Sequence, residues 1–235
     1  MLQGQVAIVT GASRGIGLAI AHALAKQGMK LALIGSSSDI HRVGEQLKEA
    51  KTFQADVSNE QQMNEVVAET VATFGRIDLL VNNAGIGVFK PVEETTVEEW
   101  RRLFEVNVQG VFIGTKAVLP HMKKQRSGTI ITISSDVGRY TIANGSAYTA
   151  TKYAVQGFSG SVAQEVRSYG IRVGTINPGM VDTYFANSTQ GLPEKADWLK
   201  GEDVAQAVVY MASAPKHMTV DEIVLHPLIQ TYPVV

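Results

Sequence analysis

The stretch TGASRGIG, residues 10–17, decides how the chain is read. It follows a short apolar run at once and carries glycines at 11, 15 and 17, with Arg14 among them. Glycine loses more backbone freedom on folding than any other residue, so three in one turn need a reason. A helical run, 16–27, comes next and stops at Gly28, a residue suited to end a helix. The turn therefore joins a strand to a helix N-terminus, where free N–H groups and the positive end of the dipole attract an anion. Glycines there allow close backbone approach. A plain strand–helix turn also uses glycine, and the spacing is G-x-x-x-G-x-G, not the common G-x-G-x-x-G. Taken alone, the turn is either a diphosphate cradle or a simple connection.

Further along, short β-rich runs alternate with longer helical ones. The strand candidates are VAIV (6–9), LALI (31–34), TFQAD (52–56), DLLV (78–81), GTIITIS (128–134), IRVGTIN (171–177) and EIVL (222–225). Several are apolar throughout, as a strand covered on both faces requires. The helical stretches are 16–27, 59–74, 97–121 and 148–169. Ser58 with Gln61, and Thr96 with Glu99, have capping-box spacing. This alternation predicts an α/β fold: a doubly wound, parallel, seven-stranded sheet with helices on both faces, in a single domain over 1–235. The irregular segment DTYFANSTQGLPEKADW (182–198) reads as a mobile loop or as short helices over a site.

The 235 residues are 45% hydrophobic and 18% charged, which suits a sizeable core. A formal net charge of -1 gives no footprint for nucleic acid or a membrane surface. The basic stretch HMKKQR (121–126) reads as a solvated helix end, where cations suit the dipole. There is no cysteine, which excludes disulfides, thiolate metal sites and thiol nucleophiles. The five histidines show no metal-ligand spacing, so no metal site is expected. No apolar run is long enough to span a membrane, and no cationic segment precedes the first one; a cytoplasmic location is expected.

Three further motifs bear on chemistry: NNAG (82–85) after the fourth strand, the serine pair 134–135 ending the fifth, and YTATK (148–152) opening a helix. Tyr148 and Lys152, four apart, share a helix face. A free tyrosine, with a pKa near ~10, is a poor base at neutral pH. Bringing it to about 7 takes ~4 kcal/mol, roughly what a lysine cation ~4 Å away supplies at an effective dielectric of ~20. By itself the pair is also what an ordinary helix surface carries. Alternation points Ser134 and Ser135 in opposite directions.

Together TGASRGIG, NNAG, the serine pair and YTATK resemble the short-chain dehydrogenase/reductase family, over nearly the whole chain. The resemblance implies a Rossmann-like fold and hydride transfer between a nicotinamide cofactor and a small alcohol or hydroxy acid and its carbonyl compound. It assigns Tyr148 as general acid/base and selects Ser135 over Ser134 to position the substrate oxygen. Lys152 lowers the Tyr148 pKa and holds the nicotinamide ribose. Asn107 holds a water that links Lys152 to solvent; a lone helical asparagine also marks a kink or a local backbone bond. Gly11, Gly15, Ile16 and Gly17 cradle the diphosphate, and Ser13 is a further cofactor contact. Asp56 and Val57 meet the adenine, with a turn or cap role as the bland alternative for Asp56. Asn83, Ala84 and Gly85 line the ribose side. Pro178, Gly179, Val181 and Thr183 shape the nicotinamide pocket.

Where NAD-preferring relatives carry aspartate after the second strand, this chain has Gly35, followed by Ser36 and Ser37. An acidic residue there repels a 2′-phosphate; serines and Arg14 favour it. NADP(H) is therefore expected over NAD, although Arg14 is also readable as a solvent-facing side chain. Asp136, Tyr140, Met180, Tyr184 and Phe185 flank the reacting carbon in the resemblance, and equally suit core packing. The ending VDEIVLHPLIQTYPVV (220–235) lacks the glycine-rich tail of the family's ketoacyl reductases. It looks more like the NADP-dependent 3-hydroxy acid (serine-type) dehydrogenases and short-chain alcohol dehydrogenases. The family also implies a homodimer or homotetramer. A 3-oxoacyl-thioester reductase, a non-catalytic NADP(H) sensor and a sugar-nucleotide epimerase are the competing functions.

Overall fold

The computed structural model describes residues 2–231; Met1 and 232–235, the end of the C-terminal stretch quoted above, lie outside the described residues. Seven strands form one parallel sheet: β1 (Val6–Thr10), β2 (Lys30–Gly35), β3 (Ala50–Gln54), β4 (Leu79–Asn82), β5 (Gly128–Ile133), β6 (Ile171–Pro178) and β7 (Glu222–Leu225). Their order is β3-β2-β1-β4-β5-β6-β7. The chain winds outward from β1 in one direction, then returns to wind the other way from β4. The crevice above β1 and β4 is where such a sheet binds ligands.

The apolar runs form strands because both faces are covered. In β1, Ala7 and Val9 enter one core while Ile8 enters the other; in β2, Leu31 and Leu33 oppose Ala32 and Ile34. The first core is completed by α1 (Gly15–Lys26), α2 (Asp39–Glu45) and α7 (Gly201–Ala212). The second takes α3 (Glu60–Phe74), α5 (Gly110–Gln125) and α6 (Ser146–Val166).

Local chemistry sets several boundaries away from the sequence expectation. The third strand ends at Gln54, because the Asp56 carboxylate accepts from the Ser58 N–H and hydroxyl and forms a turn instead. The cap of α3 is then Asn59, whose side chain accepts from the Gln62 N–H, and not Ser58. Helix α6 begins two residues before Tyr148 and gives way to a 3₁₀ turn at Arg167–Tyr169. Segment 182–198 holds two 3₁₀ turns, Phe185–Asn187 and Pro193–Lys195.

The expected helix 97–121 is two helices with a π-helical insertion. Helix α4 (Val97–Phe104) opens on the Thr96/Glu99 capping box, as its sequence predicts. Glu105–Gln109 then forms a π turn that leads into α5. π insertions recur at functional sites, and this one buries Asn107. Replacing Thr96 by Ala removes the acceptor for the Glu99 N–H. We expect a loss of about 1 kcal/mol of stability, read as a lower denaturant midpoint with unchanged slope.

Candidate active site

Gly11 and Gly15 adopt left-handed φ of 64° and 58°, which side-chain-bearing residues avoid. A Cβ on Gly11 would stand 2.8 Å from the Ala84 Cα, and one on Gly17 would overlap the Gly11 carbonyl oxygen. The turn is bound to the strand next door: Thr10 Oγ1 accepts from the N–H groups of Asn83 and Ala84, each at 2.9 Å. The Asn83 amide donates back to the carbonyls of Thr10 (2.8 Å) and Gly11 (3.2 Å). Asn83 therefore secures the turn with its side chain, while Ala84 and Gly85 continue along the crevice floor. Thr183 lies over Gly15, its Cβ 3.5 Å from where a side chain there would start.

Whether these residues suit a dinucleotide is decided by what they leave open. Helix α1 starts at Gly15 with no side-chain cap on its N-cap residue, Arg14, and no acid in its first turn. Its first N–H groups, with Ile16 and Gly17 among them, are free for an anion. Ser13 Oγ is buried without a hydrogen-bond partner among the described residues. It sits where a Cβ on Gly35, at the end of β2, would be, so no aspartate fits at Gly35 without a shift. Ser36 and Ser37 follow, exposed, and Ser37 donates to Asp39 Oδ2 at 3.1 Å. The donors fit a phosphate-bearing ribose, and nothing acidic stands at Gly35 to oppose it.

Asp56 and Val57 lie at the other rim. Burial pushes the Asp56 carboxyl up, but the Ser58 bonds and the Arg102 guanidinium, 2.9 Å away, outweigh it and hold it below its ordinary value. Val57 is buried against Gly110.

The four expected catalytic residues converge at the carboxyl end of the sheet. Tyr148 and Lys152, in the first two turns of α6, are both 7% exposed. The Lys152 ammonium donates to the Ile133 carbonyl (3.1 Å) and lies 5.4 Å from the Tyr148 ring centroid. Ser135 bonds the Tyr148 phenol and shares its own proton between Asp136 Oδ1 (3.0 Å) and the Pro178 carbonyl (3.4 Å). Ser134 turns the other way, toward the Lys152 carbonyl. Asn107 clamps Ile86 through both its N–H and its carbonyl, each at 2.9 Å, and donates to Thr151 Oγ1. Gly85 separates Asn107 from Lys152: a Cβ there would lie 3.4 Å from Asn107 Oδ1 and 3.9 Å from Lys152 Nζ.

The electrostatics run against one sequence expectation. Burial pushes the Tyr148 phenol above its ordinary value; the Ser135 bond opposes this and the Asp136 charge adds to it. Burial pushes the Lys152 ammonium down to about 8. The protein's own groups thus keep the phenol protonated at neutral pH, instead of lowering it to about 7.

On the substrate side the rings of Tyr148, Phe89 and Phe185 lie within 6.3 Å of one another, centroid to centroid. Gly87 makes room: a Cβ there would stand 2.6 Å from the Phe185 ring and 3.0 Å from that of Phe89. The Asp136 carboxylate is buried beside Ser135; its Oδ2 accepts from Gln230 (2.6 Å) and faces His226 Nε2 at 3.3 Å. Gln230 also accepts from the Met180 N–H. The Gly179 N–H donates to Leu225, and a Cβ on Gly179 would overlap Gln230. Val181 bridges to Leu199. Tyr184 is exposed, with the Arg14 guanidinium 5.7 Å from its ring centroid. Tyr140 is half-buried, its N–H on the Asp136 carbonyl. Buried Lys195 ties the loop together through Thr183, Ser188 and Thr189.

Phe89, His226, Gln230 and Lys195 were not among the expected site residues. Phe89 carried a faint signal, an aromatic shortly after NNAG, and Lys195 lies inside the segment 182–198 already read as a loop over a site; His226 and Gln230 are brought in only by long-range contacts. Among the described residues there is no metal-ligating cluster, and no helix is long and apolar enough to cross a membrane.

Three comparisons agree with this geometry. A family model described as short chain dehydrogenase matches residues 5–191. The chain is 38% identical over 234 residues to an uncharacterized oxidoreductase of Staphylococcus saprophyticus, covering 97% of this chain and 99% of the relative. Among solved structures it is similar to an alcohol dehydrogenase of the archaeon Thermococcus sibiricus complexed with 5-hydroxy-NADP (TM-score 0.92, 35% identity, 98% of this chain and 99% of that one). It is also similar to the closed form of a serine dehydrogenase complexed with NADP+ (TM-score 0.91, 32% identity, 98% of each chain). Matched by the family model over residues 5–191 and by relatives along nearly its whole length, this chain belongs to the short-chain dehydrogenase family of oxidoreductases.

Proposed function

We propose that the chain is an NADP(H)-dependent alcohol dehydrogenase or carbonyl reductase that interconverts a small alcohol or hydroxy acid and its carbonyl compound. The observation that carries this reading is the convergence of Ser135, Tyr148 and Lys152 beside the glycine turn. The two solved relatives above are complexed with 5-hydroxy-NADP and with NADP+, and the unpartnered Ser13 hydroxyl and the bare Gly35 support NADP(H) here.

When bound, NADP(H) supplies hydride exchange at its nicotinamide ring, and its oxidised form adds positive charge near Tyr148. Gly11, Gly15, Ile16 and Gly17 hold the diphosphate. Ser13, Arg14, Ser36 and Ser37 hold the 2′-phosphate. Asp56 and Val57 bound the adenine, and Pro178, Gly179, Val181 and Thr183 bound the nicotinamide. Tyr148 gives the substrate oxygen a proton in reduction and takes it back in oxidation. Ser135 orients that oxygen. Lys152 holds the ribose and favours the phenolate, and Asn107 keeps a water on the route from Lys152 to solvent. Asp136, Tyr140, Met180, Tyr184 and Phe185 surround the substrate. The protein acts in the cytoplasm as a homodimer or homotetramer. Exposed Phe112 and Tyr153, on α5 and α6, support assembly through those helices.

Tyr148→Phe should keep NADPH affinity, read by fluorescence titration, while turnover falls roughly 10²–10⁴-fold, the usual contribution of a positioned acid/base. Near-full turnover would remove Tyr148 from the chemistry. Arg14→Ala should weaken NADPH binding far more than NADH binding; equal losses would remove its phosphate role. The Tyr148–Lys152 pair sheds its first proton near the Lys152 value of about 8. Alcohol oxidation needs a proton acceptor, so its kcat/KM should climb through that pH. Carbonyl reduction draws on the Tyr148 proton, which burial retains through that range, so its kcat/KM should hold level there; both are read from pH–rate profiles.

A further inference from the structure

We infer that the substrate is an uncharged carbonyl compound, or the matching alcohol, with an apolar and preferably flat group beside the reacting carbon, and that the site discriminates against free carboxylates. This rests on the oxidoreductase reading above and narrows it: of the alcohols and hydroxy acids that reading allows, the hydroxy acids are disfavoured.

Two features of the substrate side carry it. The first is the ring triangle. Phe89 comes from the loop after β4, Phe185 from the loop after β6 and Tyr148 from α6, and the bare Gly87 lets the first two converge on the third. Phe89 is 45% exposed, so one ring of the triangle faces outward and is open to a ligand. Offset and edge contacts among such rings favour another flat apolar group.

The second is charge. The acidic group next to Ser135 is the Asp136 carboxylate, 7% exposed, and it acts in a poorly screened setting. His226 faces that same carboxylate, so its Nε2 is turned to Asp136 and not to a substrate anion. The cations of the surrounding segments are committed elsewhere: Lys195 to three loop oxygens, Lys90 to Glu99, Arg139 to Glu222, Lys200 to Asp182, Lys152 to the Ile133 carbonyl and, in the proposed function, the cofactor ribose, and Arg14, beside the Tyr184 ring, to the 2′-phosphate. A carboxylate substrate would meet Asp136 and find, among the described residues, no uncommitted arginine fork to hold it.

The test is NADPH-dependent reduction of benzoylformate and of its methyl ester, which share one skeleton and differ by one charge. It compares the wild type with Asp136→Asn and Phe89→Ala. The ester should exceed the acid in kcat/KM by at least about tenfold. Asp136→Asn should shrink that ratio by about threefold or more; the intrinsic reactivity difference of the two compounds cancels between the proteins. Phe89 is on the surface, so Phe89→Ala should fold and raise KM for the ester about two- to tenfold with kcat kept. An acid that matches the ester, or a ratio unmoved by Asp136→Asn, overturns the inference. Quenching of bound NADPH fluorescence in Tyr148→Phe reads binding without turnover, and there too the ester should bind more tightly. Tighter ester binding with no wild-type turnover of either compound counts against the reaction and supports the substrate class; equal binding of the acid overturns the class alone.

Discussion

The site depends on one small piece of hydrogen bonding: the Thr10 hydroxyl accepting the N–H groups of Asn83 and Ala84 while the Asn83 amide returns bonds to the Thr10 and Gly11 carbonyls. Backbone groups at the end of a parallel sheet have no further strand residue to pair with, and unpaired buried polar groups are costly. Here the Thr10 hydroxyl and the Asn83 side-chain amide satisfy those groups between the ends of β1 and β4. The glycine turn is thereby fixed against its neighbour, next to a start of α1 whose first N–H groups carry no side-chain cap. The missing side chains at Gly11 and Gly17 follow from that closeness.

Burial of Tyr148 and Lys152 has the opposite character, since it opposes the charged forms that catalysis uses. The phenol is kept as a proton donor at neutral pH, and the ammonium is brought to where it exchanges protons readily. In the reaction proposed above, Tyr148 is a donor at neutral pH, and oxidation gains its proton acceptor as Lys152 gives up its proton. The Asp136 charge, anchored by Gln230 and His226 from the C-terminal segment, pushes in the same direction.

Much of this was legible in the residues. Apolar runs such as VAIV and LALI announce strands covered on both faces, and the glycine turn with YTATK locates the two halves of the site. The Thr96/Glu99 box was readable because capping is local chemistry. Other features were not, for physical reasons. The π turn at Glu105–Gln109 is a shift of hydrogen-bond register that leaves the helical periodicity of the sequence almost unchanged. Ser58 and Asn59 are both good caps, and the choice between them was made by Asp56, which claims the serine. The Asp136–Gln230 bond joins residues 94 positions apart, a pairing that no local pattern encodes. The direction of the Tyr148 shift depends on its depth of burial, which spacing from Lys152 does not report.

The central claim is that the glycine turn and the Ser135–Tyr148–Lys152 cluster together make a working NADP(H)-dependent oxidoreductase. Its most direct test is oxidation of NADPH and of NADH, followed by absorbance, against a panel of small ketones, aldehydes, 3-oxo acids and ketoacyl thioesters. The account predicts turnover with NADPH well above that with NADH on at least one carbonyl class. Tight NADPH binding with no turnover across the panel would contradict it and point to a protein that binds the cofactor without using it.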